Sequence, residues 1–161
     1  IVLDESRSFE SRELVAKLPG VGGIQLRPRQ PGDLQHAAGW FHRVTTDIVV
    51  ISGETSEAQQ CKTLLHEVAH ALLHGVEDHH SRPVQEVEAE STAFVVAHAL
   101  GLDTASYSLP YVAQWALEGE GQDATKLVAA AGERIRKAAG AMLEALVPQT
   151  EATVEPEAVA A

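Results

Sequence analysis

His66-Glu67-Val68-Ala69-His70 is the stretch whose residue types and spacing carry chemistry. On a helix, residues four apart share a face, so the imidazoles of His66 and His70 reach one ion together. Glu67 lies beside them, placed to contact a water on the metal rather than the metal. A zinc ion so held lowers the pKa of its water, and a neighbouring carboxylate takes the proton as that water attacks a carbonyl. H-E-x-x-H is a pattern that matters only in context. Here the context agrees: Leu64, Leu65, Val68, Leu72 and Leu73 recur at helical spacing, Ser56 and Gln59 have capping-box spacing, and Gly75 is a natural stop.

A catalytic zinc needs a third protein ligand and an open fourth position. The longer form H-E-x-x-H-x-x-G-x-x-H is excluded, because Leu73 and Val76 stand where it needs Gly and His. His74 lies about 12 Å of helix rise from His66, so it reads as a partner of a ligand or an exposed residue near the helix end. A second helix, opened by Pro83 and closed by Gly101, supplies Glu86, Glu88 and Glu90. Glu86 and Glu90 share a face with Ala93, Phe94 and Ala97, and a carboxylate in such an interface wants a cation. One of the two reads as the ligand and the other as the acceptor for an imidazole N–H. Glu88 turns away and is expected in solvent. Tyr107 and Tyr111 are candidates for stabilising an oxyanion. His79 and His80 read as exposed loop residues, His98 as a core or rim residue, and Cys61 as a buried small hydrophobe.

Several elements must position these residues. Gly39-Trp40-Phe41-His42 and Asp47-Ile48-Val49-Val50-Ile51 flank a polar turn and read as an antiparallel hairpin. A short strand is expected near residues 23–26 and a short helix near 10–18. Ser108 and Pro110 open a short third helix, and Asp123 caps a long Ala-rich one running to Leu146. Residues 1–38 form an N-terminal segment with loop, 39–146 the domain, and 147–161 a flexible tail without periodicity.

With 161 residues, 45% of them hydrophobic, the chain is one domain with a real core. No apolar run approaches the ~20 residues of a membrane span. A net charge of −11, with 12 basic against 23 acidic residues, argues against a nucleic-acid surface on this domain. One cysteine excludes a disulfide framework or a multi-cysteine zinc site, so a reducing cytoplasm is expected. The sequence opens on Ile1 rather than Met and reads as a fragment or a processed product.

The run from Leu64 to His74, followed by Glu90-Ser91-Thr92-Ala93-Phe94, resembles the ImmA/IrrE family of zinc metallo-endopeptidases. The hairpin is similar to the strands that precede the family's active helix. Leu100-Gly101-Leu102-Asp103 and Tyr111-Val112-Ala113-Gln114-Trp115-Ala116 are similar to the peptidase domain of ArdC-like antirestriction proteins, which join such a domain to one that binds single-stranded DNA. The resemblance covers roughly residues 39–146. It implies a mostly helical, zincin-like α+β domain with a small antiparallel sheet. It also implies Zn2+ held by His66, His70 and Glu90, with Glu67 as base and Glu86 behind the ligands. Ser91-Thr92 departs from the Ala-Asn of many members. The implied function is endopeptidase action on a protein or peptide substrate, a transcriptional repressor being one candidate. Nucleic acid would enter only through a preceding domain. The alternative from another class is a metal-containing regulatory or antirestriction module that acts by binding.

Overall fold

The computed structural model describes residues 21–34, 37–51, 57–118 and 124–146. The expected helix near 10–18, the caps at Ser56 and Asp123, and the tail at 147–161 lie outside them. Three strands, β1 (Gly23–Arg27), β2 (Gly39–His42) and β3 (Asp47–Ile51), precede four helices: α1 (Glu57–Leu73), α2 (Arg82–Ala99), α3 (Ala105–Glu118) and α4 (Ala124–Leu146). The architecture is α+β and mostly helical, as the sequence implies.

The sheet has the order β1-β3-β2. The β2–β3 hairpin is antiparallel, with Trp40 opposite Val49 and Phe41 opposite Ile48. The sheet is nevertheless mixed and not purely antiparallel, because β1 runs parallel to β3, with Ile24 opposite Ile48. β3 is central, and Ile48, Val49 and Val50 are buried, as a continuous β-branched run in a covered strand should be. The hairpin turn is tied by His42 Nδ1, which accepts from the Thr45 backbone N–H at 3.2 Å.

α1 lies against the sheet, and its apolar residues Leu64, Leu65 and Val68 join Ile48 and Val50 in one core with Ala93, Val96 and Ala97 of α2 and Ala139 and Met142 of α4. α2 is therefore the central helix: it meets α1, α3 and α4. Its C-terminus closes on Gly101 at φ 81°, a left-handed position that glycine takes without strain. α3 begins earlier than expected, at Ala105, and carries Pro110 inside it. Asp103 accepts the Ala105 N–H at 3.1 Å and Thr104 O accepts the Ser108 N–H at 2.9 Å, so the helix is started upstream of the serine and proline that mark it in the sequence.

Gly39 sets how close the edge strand β2 can come to α1. A Cβ there would sit 2.7 Å from Thr63 Cγ2, 2.8 Å from the Val49 carbonyl oxygen and 3.4 Å from Glu67 Cγ. The Thr63 methyl has some room to give, but the Val49 backbone has none. Gly39→Ala is expected to cost about 1–3 kcal/mol, as overpacking of a tight contact does. Adding Thr63→Ser should recover only part of that loss. Denaturant midpoints of the two variants check this, and full recovery in the double variant would show the backbone contact to be unimportant.

Candidate metal centre

α1 and α2 pack antiparallel, and a line of polar side chains runs between them. Lys62 faces Glu90, His66 lies between Glu90 and Glu86, His70 faces Glu86, and His74 faces Glu88. The Nε2 atoms of His66 and His70 are 3.1 Å apart. Glu86 Oε2 lies 3.4 Å from the first and 3.7 Å from the second. Ligand atoms about 2.0–2.2 Å from a tetrahedral zinc sit about 3.3–3.6 Å from one another, so these three atoms have the mutual spacing of three corners around one ion. Among the described residues, His66, His70 and Glu86 are the group whose donor atoms converge closely enough to hold a metal.

Glu90 is placed differently from the sequence expectation. It is fully buried, and its Oε2 lies 2.9 Å from His66 Nδ1 and 2.8 Å from Lys62 Nζ. It thus meets the far side of the His66 ring, and Glu86 occupies the position opposite the two Nε2 atoms. The reason is axial. Glu86 and Glu90 share a face, but one turn of α2 separates them, and the register of the antiparallel helices brings the Glu86 turn level with both imidazoles.

Glu88 is not in solvent. It is 1% exposed, with Oε2 2.9 Å from His74 Nε2 and Oε1 3.2 Å from Arg134 Nε of α4. His74 is buried too, and its Nδ1 lies 2.8 Å from His70 Nδ1. His79 is exposed as expected. His80 is exposed but pairs with Asp78 and Arg134. His98 is exposed and stacks on Phe94, and Cys61 is half-buried. The Tyr107 side chain lies outside the described set. Tyr111 is at the site: its ring meets His66 edge-on, Lys62 lies over its face, and its hydroxyl donates to Glu86 Oε2 at 3.3 Å. Lys62 and Arg134 were missed by the sequence reading. Lys62 had a signal, since it precedes His66 by one helical turn on the same stripe. Arg134 had none, being far away in the chain.

A model of the IrrE N-terminal-like domain, the M78 peptidase family, matches residues 23–114. The chain belongs to this family. An uncharacterized protein of Bacillus anthracis is 29% identical over 106 residues, which is 60% of this chain and 18% of that protein. The chain therefore spans less than a fifth of that relative's length. No solved structure matches. No described helix is long and apolar enough to cross a membrane.

Membership in a peptidase family gives the electrostatics of the cluster a meaning. Burial pushes the Glu67 carboxyl up to about 7, helped by the Glu86 charge and opposed by His66, Lys62 and the Phe41 N–H. A carboxylate tuned to that value suits proton transfer near neutral pH. Burial lowers His70 to about 4. Burial also opposes a charge on His66, but hydrogen bonds to Glu86 and Glu90 outweigh it and raise the ring to about 9. Burial opposes the Glu86 charge, and the two imidazoles more than offset it, holding the group well below the usual carboxylate range.

The His66 shift has a definite sign. A folded-state value above the unfolded one contributes stability that is complete below about 6.5 and is lost as pH rises through about 9. Chelator-treated protein is therefore expected to have a lower Tm at pH 9 than at pH 6.5. Metal ligands must be deprotonated, so added metal should stabilise more at pH 9 than at pH 6.5. Thermal melts at both pH values, with and without metal, read the two slopes. A Tm in chelator that rises across this window would contradict the charge state assigned to His66.

Proposed function

We propose that this domain is a zinc-dependent endopeptidase, with His66, His70 and Glu86 as the ligands and Glu67 as the general base. The single observation that carries the reading is the convergence of the two Nε2 atoms and Glu86 Oε2 to mutual distances of 3.1, 3.4 and 3.7 Å. Two imidazoles and one carboxylate, with a side left open, are the donor set of hydrolytic zinc sites. The ion, when bound, supplies a Lewis acid that polarises a carbonyl and acidifies water.

The chain's own groups do the rest. Glu67 is absent from the converging ligand set, which leaves its carboxylate free to accept a proton from the attacking water and return it to the leaving amine. The Phe41 N–H of β2 holds that carboxylate. Burial raises the Tyr111 hydroxyl to about 12, so it remains a donor at neutral pH, and by turning from Glu86 it would hydrogen-bond the oxygen that becomes negative as the carbonyl is attacked. β2 is an edge strand beside α1, and an extended peptide added to that edge would run past Glu67. Glu90 and Lys62 orient His66 through Nδ1. The net charge of −11 supports a protein substrate over nucleic acid for this domain. A repressor encoded nearby is the first to assay, in a cytoplasmic setting.

Zinc analysis and cleavage assays test the reading. About one zinc per chain is expected, with Glu86→Ala removing it as His66→Ala does. Glu90→Gln should keep zinc but weaken it by roughly 10–100-fold, the usual effect of losing a partner behind a ligand. If Glu90→Gln strips the metal and Glu86→Ala does not, the two roles are exchanged.

Glu67→Gln should retain fold and zinc while losing about 10²–10⁴ in cleavage rate. Cleavage at the wild-type rate by that variant would remove Glu67 from the mechanism.

A further inference from the structure

His70 and His66 are supported in different ways. Behind His66 stands a carboxylate. Behind His70 stands a second imidazole, His74, and behind that a carboxylate and a guanidinium. The contacts run in an unbroken line: His70 Nδ1 to His74 Nδ1 at 2.8 Å, His74 Nε2 to Glu88 Oε2 at 2.9 Å, and Glu88 Oε1 to Arg134 Nε at 3.2 Å. His74 and Glu88 are both buried. Arg134 is fixed in turn, because its Nη2 meets both the Leu73 carbonyl at the end of α1, at 3.0 Å, and Asp78, at 3.5 Å.

With Glu88 a carboxylate and both rings neutral, one assignment of protons satisfies every contact along this line. Arg134 is the ion-pair partner of Glu88 and favours its carboxylate form. The Glu88 carboxylate accepts from His74, which puts the His74 proton on Nε2. Neutral His74 then has a bare Nδ1, and the one proton that can lie between the two Nδ1 atoms belongs to His70. A His70 ring protonated at Nδ1 has a bare Nε2, and that atom faces His66 and Glu86.

We propose that His74, Glu88 and Arg134 are positioning residues that lock His70 in its Nδ1–H tautomer, so that Nε2 is presented as a lone pair to a metal. This deepens the zinc reading above and rests on His70 being a ligand. The charge on Arg134, delivered from α4, thereby acts on a metal ligand through two intervening side chains. Its effect is on affinity for the ion and on ring orientation.

The test uses the full chain labelled with 15N in histidine. In chelator-treated protein near neutral pH, the His70 ring is expected to show its proton on Nδ1, and zinc should bind without changing the tautomer. His74→Phe keeps a ring but removes the acceptor. It should give mixed His70 tautomers and weaken zinc by roughly 10–100-fold in chelator competition. His74→Gln restores a carbonyl acceptor and should recover most of that loss, which a purely space-filling role for His74 would not produce. A His70 proton found on Nε2 in the wild-type chain overturns the proposal, as does His74→Phe binding zinc within about threefold of wild type. The wild-type tautomer needs no variant, so it decides even where His74→Phe fails to fold. Absence of peptide cleavage would count against the proposed activity and leave the tautomer and affinity results standing. Failure of the wild type to bind zinc would defeat the ligand set, with the tautomer of the chelator-treated chain still deciding for or against the lock.

Discussion

The interface between α1 and α2 is a polar seam inside an apolar core, and the rest of the fold is arranged to keep it complete. Lys62, His66, His70 and His74 face Glu90, Glu86 and Glu88 along the length of two antiparallel helices. Burying this many ionisable groups costs several kcal/mol per charge unless each finds a partner. Here the charges are matched in small sets: Lys62 with Glu90, Arg134 with Glu88, and the imidazoles with Glu86. Small residues on α2, such as Ala89, Ala93 and Ala97, are buried beside the seam and let the helices approach closely enough for the side chains to meet. Removing one member leaves its partner buried and unmatched, typically about 3–5 kcal/mol for a charged pair. Such a seam fixes the register of α1 against α2, and the register decides which glutamate meets which ring.

That register explains what the sequence could and could not reveal. The convergence of His66 with His70, and the place of Glu67 outside that group, follow from helical spacing alone, so they were legible. The choice between Glu86 and Glu90 was not. Both lie on one face of α2, and no periodicity says which turn stands level with the imidazoles. The resemblance pointed to Glu90, whereas the geometry sets Glu86 Oε2 opposite both Nε2 atoms. Glu88 was misread for a related reason. A helical wheel assumes a solvent side, but α2 is surrounded by α1, α3 and α4, and the face that seemed free meets His74 and Arg134.

The sheet shows the same division. The hairpin was legible from two β-prone runs around a short polar turn. The direction of β1 was not, because a five-residue strand carries no sign of whether its neighbour runs with it or against it. Pairing parallel to β3 makes β3 the buried centre and leaves β1 and β2 as the two edges of the described sheet, with β2 the one beside α1. Gly39 then holds that edge against α1, where the Phe41 N–H meets Glu67. A single glycine thus connects the topology of the sheet to the placement of the base.

The two arms behind the histidines are each neutral as a pair, and that neutrality bears on the proposed base. A divalent ion held as proposed, among two neutral imidazoles and the Glu86 carboxylate, would leave one positive charge at the centre. Glu90 is compensated by Lys62 and Glu88 by Arg134, so neither arm adds net charge beyond its own pair. The remaining positive charge has one uncommitted carboxylate beside it, Glu67. Burial is the main cause that holds that group up at about 7, and a bound cation would draw it down again. In the proposed site that balance would favour an ionised Glu67 near neutral pH, able to take a proton from water and pass it on. An uncompensated charge on either arm would shift that balance in the low-dielectric interior. In the proposed metal site, the internal neutrality of the seam would therefore leave Glu67 as the group that answers the charge of the ion.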